Sequence, residues 1–319
     1  MRQKSCEHGT RSGSDNLDQD GPRRRVYFLS GFDPRGASFY YRMFGEQVRQ
    51  LKHWSGRCLK TSHRRGQKQD HLISSWQVQE DLALRLDFCF LHWDDIARAH
   101  WPKNPLVLLR DGISIYCWYV FAGGYLKMRR LSEQVALCGL YPVLYVGTTL
   151  LVLLIACSFL GLLSYLQLLP VSLLLLLRLV VVLFGCALAW RLANHLGVVW
   201  LFRSIRFTHR LGQARDGDLR RRVAELAQRI GELEASDPAA EVLLVGHSSG
   251  SFVMAMLAAE LRRQGVDRQL AGRLQLLSLG QNLANLAVHG KARAFHDDLA
   301  LLAEEPRLPW LDITSRDDY

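Results

Sequence analysis

Residues 241–251 read Glu-Val-Leu-Leu-Val-Gly-His-Ser-Ser-Gly-Ser, and the fold turns on how they are read. Val242, Leu243, Leu244 and Val245 are apolar residues in a row, the pattern of a short strand buried on both faces. Gly246-His247-Ser248-Ser249-Gly250 follows at once, and residues 252–261 (FVMAMLAAEL) have the composition of a buried helix. A strand, a G-x-S-x-G corner and a helix in succession lift the middle serine clear of the sheet. The glycines have a steric reason. A β-carbon at Gly246 or Gly250 would collide with the neighbouring strand or helix. Ser248 is then a nucleophile standing in the open, and the backbone N–H of Ser249, at a helix amino terminus, can meet an oxyanion. His247 is expected to pack beside the corner, not to act as a base.

Outward from this corner the chain alternates strands and helices. Residues 26–29 (VYFL) predict a first strand, ending in Ser30-Gly31-Phe32-Asp33-Pro34-Arg35-Gly36. Asp33 to Gly36 has the residue order of a type I turn, and residues 37–48 predict a helix. Residues 86–91 (LDFCFL) predict a second strand, which runs into His92-Trp93-Asp94-Asp95. Polar groups at the carboxyl end of such a strand lie where open α/β sheets hold ligands, so Asp94 and Asp95 are either pocket residues or helix caps. Before the corner, Leu219, Val223, Leu226, Ile230 and Leu233 share one helical face. Asp216 or Asp218 can cap that helix, and Glu225 and Arg229 are spaced as an i,i+4 pair. After the corner come a strand at 274–279, a helix at 297–303 and a last strand at 308–314.

Composition sets further bounds. The chain has 319 residues, 49% of them hydrophobic, with a net charge of +10. That charge favours anionic surfaces, and residues 49–68 hold seven Lys and Arg with no acid among them. No nucleic-acid-binding motif accompanies the charge, so phospholipid headgroups are the expected contact and nucleic acid is not. The seven cysteines show no metal-ligand spacing and read as reduced thiols. Neither a metal nor a cofactor is called for. Residues 1–25 read as a disordered polar tail.

The middle of the chain is of another kind. Between Glu133 and Arg178 there is no Asp, Glu, Lys, Arg or His. Residues 141–166 and 171–190 each meet the ~20 apolar residues a spanning helix needs, with residues 167–170 as the connecting turn. Arg178 is costly in lipid and is expected to face the partner helix or snorkel. Lys127, Arg129 and Arg130 precede the hairpin, and Arg191, Arg203, Arg206 and Arg210 follow it. Basic flanks on both ends place them in the cytoplasm. Residues 112–126, uncharged and aromatic, are too short to span and suit an interfacial helix.

With Gly246-His247-Ser248-Ser249-Gly250 as its motif, the chain resembles the α/β-hydrolase superfamily over residues 26–95 and 216–319. The fold expected is an α/β-hydrolase-like, mostly parallel sheet with flanking helices, interrupted at 96–215 by an insertion bearing the transmembrane hairpin. The resemblance implies Ser248 as nucleophile, the backbones of Ser249 and Phe32 as oxyanion donors, and Asp318 or Asp317 as the acid. Asp312, inside the last strand, is expected to be structural. The family's order of serine, acid and histidine is not met, because only Tyr319 follows Asp318. Three readings stay open: a truncated form of a longer enzyme, a base drawn from His289 or His296, or a relative without catalysis. The function expected is ester or lipid hydrolysis through an acyl-enzyme on Ser248. The alternative is a catalytically inactive, membrane-tethered binding module. The expected partners are the lipid bilayer and a lipid or other ester substrate.

Overall fold

The computed structural model describes residues 23–55, 59–65, 70–80, 84–166, 170–270, 272–305 and 307–314. The chain divides into two compact units. Residues up to Trp101 together with those from Ala214 onward form the first, and Pro102–Gln213 form the second.

In chain order the first unit opens with β1 (Arg23–Leu29), α1 (Ala37–Ser55), β2 (Leu59–Thr61), β3 (Ile73–Glu80), β4 (Leu84–Leu91) and α2 (Asp94–Ala99). The second unit holds α3 (Pro105–Phe121), α4 (Gly124–Leu131), α5 (Glu133–Tyr165), α6 (Val171–His195) and α7 (Val198–Gly212). The first unit then resumes with α8 (Gly217–Ser236), β5 (Glu241–His247), α9 (Gly250–Arg263), α10 (Val266–Gln269), β6 (Leu274–Leu279), α11 (Leu283–Ala287), α12 (Arg293–Ala303) and β7 (Trp310–Ile313).

The strands build one seven-stranded sheet in the order β2-β3-β4-β1-β5-β6-β7. The run from β4 through β7 is parallel, while β2, β3 and β4 meander antiparallel. This is a mostly parallel sheet with flanking helices. The β2–β3 pair is an addition to what the sequence reading gave. β3 announces itself by period-two alternation: Trp76 and Val78 are buried, whereas Gln79 is exposed.

Side chains alternate across β1, which fixes the two faces. Phe28 joins Tyr40 of α1, with ring centroids 5.6 Å apart. Tyr27, on the other side, donates its hydroxyl to Glu234 Oε1 of α8 at 3.0 Å. α1 therefore covers one face, with its Ala37 and Tyr40 packed in one cluster with Trp76 and Val78 of β3 and Phe90 of β4. Trp76 stacks on Phe88 at 4.6 Å, a pair that adds roughly 0.5–1.5 kcal/mol beyond its burial. α8 takes the opposite face together with α9, which packs on β5 and β1. Leu219, Val223, Leu226 and Ile230 of α8 are buried, as the periodicity requires.

Two charged groups are placed differently from the sequence reading. Strand β1 begins at Arg23, so the arginines read as the end of a tail are strand residues. Arg25 is 2% exposed and lies between Glu234, 2.6 Å away, and Asp237, 2.9 Å away. In α8 the residue at the N-cap is Asp216, but it makes no cap bond and accepts from Arg220 instead. Arg229 pairs with Asp70 and Glu232.

In the second unit, α5 and α6 are long and apolar enough to cross a membrane. They pack closely where residues are small, since a β-carbon on Gly185 would stand 2.5 Å from Leu153 Cδ2. Tyr145 donates its hydroxyl to Ala189 O at 2.7 Å. The Arg178 guanidinium lies against Gly161 of α5, where any β-carbon would strike it. Position 170 is described, whereas 167–169 of the connecting turn lie outside the described residues. Cys89, Cys117, Cys138, Cys157 and Cys186 are free thiols, and burial pushes Cys89 up to about 12.

Candidate functional site

The site gathers at the carboxyl ends of the parallel strands. The chain leaves β1 toward β4 on one side and returns to β5 on the other. Such a reversal opens a crevice outside the strand ends, the usual ligand position in open α/β sheets. Ser30 to Phe32 follow β1, His247 ends β5 with Ser248 just after it, and Gly280 to Asn282 follow β6.

Ser248 has φ +52°, the left-handed region, where a residue with a β-carbon is held at a cost of about 1–3 kcal/mol. Its neighbours enforce that conformation. Ser248 N–H donates to Leu279 O at 2.8 Å, and Ser248 O accepts from Ser251 N at 3.0 Å. Ser251 Oγ–H donates to the same carbonyl at 2.6 Å. The two glycines of the corner have the steric role their spacing implies. A β-carbon on Gly246 would stand 2.7 Å from Gly250 O and from Ser251 Cα. One on Gly250 would strike Leu29 O and would stand 2.5 Å from Ser30 O.

Of the residues expected as oxyanion donors, Ser249 adjoins the serine in the chain and Phe32 follows a glycine that lies against it. Ser249 is buried and occupies the N-cap of α9, whose first N–H groups have no intrahelical acceptor. Phe32 belongs to the loop after β1. The preceding Gly31 lies against the corner: a β-carbon there would be 3.3 Å from Ser248 Cβ and 3.4 Å from His247 O. The Phe32 ring is buried and stacks on Trp101, with centroids 5.4 Å apart.

That loop is clamped from several directions. Asp33 Oδ1 accepts from Arg35 N at 2.9 Å, and Asp33 Oδ2 accepts from Tyr40 OH at 3.0 Å. Burial, the Asp33 charge and this bond together push the Tyr40 hydroxyl well above its ordinary value. Trp93 Nε1–H donates to Ser30 O at 3.1 Å and Arg98 to Pro34 O at 3.0 Å. Asp94 and Asp95 open α2 but neither is its N-cap, which is Trp93. Asp94 is buried, bonded to His92 Nδ1 at 2.9 Å and paired with Arg98 at 2.7 Å. The other ring nitrogen of His92 meets Ser74 Oγ at 2.9 Å. Asp95 binds Arg222 through both oxygens at 2.8 Å. Both acids thus hold the frame behind the loop.

The residue missed by sequence reasoning is Asn282. Its side-chain amide donates to Ser248 Oγ at 3.1 Å, and its backbone N–H donates to Ser251 Oγ at 3.0 Å. The signal was an Asn three residues beyond the end of β6, the strand next to β5. His289 is buried after α11. His296 lies in α12, its Nε2 2.7 Å from Ala287 O. His247 is exposed at the end of β5. Asp312 accepts from Ser278 Oγ at 2.5 Å, a bond that ties β7 to β6. Asp317 and Asp318 lie outside the described residues. No group of three or more metal-ligating side chains is present among the described residues.

No family model, curated protein or solved structure matches this chain.

Proposed function

We propose that the chain is a membrane-anchored serine hydrolase of the α/β-hydrolase class, cleaving an ester through an acyl-enzyme on Ser248. The observation that supports it best is the +52° φ of Ser248 between β5 and α9. A serine held at such a strained strand-to-helix corner, beside the loop of an adjacent parallel strand, has the geometry of a nucleophile elbow. In this reading Ser248 Oγ attacks the carbonyl carbon of the ester. The N–H groups of Ser249 and Phe32 receive the oxyanion, and a base takes the hydroxyl proton and returns it to the leaving alcohol. His289 and His296 are the candidate bases, with Asp318 or Asp317 to orient one of them. A lipid ester is the favoured substrate class, because the spanning helices and the +10 charge would keep the site at a phospholipid surface.

A non-catalytic tethered module that binds a lipid or protein is the second reading, and Asn282 favours it. The partner of Ser248 Oγ is an amide, which cannot take up a proton. A fluorophosphonate probe separates the two. Labelling of the folded chain is expected, with complete loss in Ser248→Ala and in Ser248→Gly. The glycine variant should unfold no more readily than the parent, because glycine adopts a positive φ without strain. A folded parent that takes no label would leave the binding module as the reading.

The chain is proposed to cross the membrane twice, with both flanks and the hydrolase unit in the cytoplasm. In a cysteine-free background, Gln134→Cys should react with an impermeant maleimide only after the cells are opened. Gln167→Cys should react from outside. Reaction at position 134 in intact cells would reverse the orientation.

A further inference from the structure

α3 and α4 meet at a bend of 67°, and together they are apolar enough to count as a broken third span. We infer that this pair does not cross the bilayer: it lies as a wedge in the headgroup–acyl boundary of the leaflet facing the first unit, bound to anionic phospholipid. The inference rests on the two-pass reading of α5 and α6.

Sheet connectivity decides the number of crossings. β4 precedes the insertion and β5 follows it, yet both are hydrogen-bonded to β1 in one sheet. The chain must therefore leave and return on the same side of the membrane. α5 and α6 supply two crossings, and a third would put β4 and β5 on opposite sides.

The surface of the pair is that of an interfacial segment. The inner face of α3 is committed: Leu108 and Ile115 pack with Val198, Val199 and Phe202. Tyr116 and Tyr119 donate to Gly139 O and Ala136 O at 3.0 and 2.7 Å. The outer face presents Leu106, Leu109, Ile113, Val120 and Phe121, each more than half exposed. These five share one side of the helix, which a soluble surface would make polar.

Charge sets the depth. Arg110 lies on the same side near the start of α3, paired with Asp111 at 3.1 Å. Lys127, Arg129 and Arg130 are exposed on α4. Lys127 comes three residues after α4 begins, only ~4.5 Å along the axis. A bend carried to the bilayer centre, ~15 Å deep, would drag that ammonium into hydrocarbon. Lying at ~5–10 Å, the pair immerses Ile113 and Phe121 while the cations reach anionic headgroups. α5 starts at Glu133, just beyond α4, so this surface continues the spanning hairpin.

Depth-resolved fluorescence tests this on the full chain in vesicles of phosphatidylcholine with phosphatidylglycerol. A nitrobenzoxadiazole label is placed on a cysteine-free chain at Ile113→Cys, Phe121→Cys, Val180→Cys in α6, or Gln228→Cys in α8. Labels at 113 and 121 should be quenched by acyl-chain nitroxides. They should be reduced by external dithionite at least about tenfold more slowly than the label at 228, the bias expected from burying one aromatic side chain. Replacing Lys127, Arg129 and Arg130 by Gln should raise the dithionite rate at 121 in these vesicles. Pure phosphatidylcholine should do the same to the unsubstituted chain. Labels at 113 and 121 as open to dithionite as 228, with 180 protected, would overturn the wedge. Protection without nitroxide quenching would mean that a protein covers the face, and would overturn it too. A label at 180 open to dithionite would remove the hairpin and the wedge together.

Discussion

Gly250→Ala is expected to cost the first unit about 3 kcal/mol or more, toward the upper end for overpacking of a single methyl. The new β-carbon would meet backbone: it would strike Leu29 O and stand 2.5 Å from Ser30 O and 3.0 Å from Leu29 C. A flexible side chain could swing away, but β1 cannot. It is hydrogen-bonded on both sides, to β4 and to β5, over six residue pairs each. Relief therefore requires the end of β1 to move, and with it the loop holding Gly31 and Phe32 beside Ser248. The variant should lose stability and, in its folded fraction, react more slowly with the fluorophosphonate probe. Gly217→Ala is the control. Nothing lies within 4 Å of a β-carbon there, and the position opens α8, where alanine suits the helix. Urea titrations followed by tryptophan fluorescence in detergent would compare the two. Equal midpoints for Gly250→Ala and the parent would mean that the corner is looser than described, and would weaken the nucleophile reading with it.

How much of this was legible in advance depended on whether a signal was local. The 241–251 stretch was read correctly as strand, corner and helix because four apolar residues and two glycines state their reason within one segment. The two apolar helices were legible for the same reason: a hydrocarbon thickness translates directly into a length. Charged residues were harder. Arg23 and Arg25 looked like tail residues because the partners that hold them in the fold, Asp87, Glu234 and Asp237, lie 62 to 214 residues away. Asp95 looked like a cap or pocket group because its partner Arg222 lies 127 residues away, whereas Asp94 meets His92 and its i,i+4 partner Arg98 within one short segment. β3 is different, for its alternation of Trp76 and Val78 with Gln77 and Gln79 is a local signal of a half-buried strand. Asn282 was out of reach, since its pairing with Ser248 exists only because β6 lies beside β5 in register.

The same distant pairing gives the other large effect, at the amino ends of the strands. Glu234→Ala should destabilise the first unit by about 3 kcal/mol, the lower end of the cost of breaking a buried ion pair, because Arg25 keeps Asp237 at 2.9 Å. Glu234 is 3% and Arg25 2% exposed. Glu234 accepts from Arg25 at 2.6 Å, from Tyr27 OH at 3.0 Å and from Ala239 N at 3.2 Å, so the deletion takes an acceptor from three donors, of which Arg25 keeps Asp237 O at 2.8 Å. Burial and the neighbouring charges push the Tyr27 hydroxyl well above its ordinary value, so it remains a neutral donor. Replacing both charges, Arg25→Met with Glu234→Leu, should recover much of the loss, because the desolvation of both ions vanishes with them. Additive losses in the double variant would show that the pair contributes little coupling. Asp237 adds a dependence on pH. The Arg23 guanidinium, bonded to it at 2.5 Å, holds its carboxyl below the usual carboxylate range despite some burial. Because folding favours the ionised form, its contribution is complete above about pH 4, the unfolded value, and is lost as pH falls through the lower folded value. Asp237→Asn should flatten stability against pH in that acid window and leave its slope near neutrality unchanged. An unaltered acid slope in the variant would move the dependence to other carboxylates, such as Asp70, which Arg229 holds low against its burial.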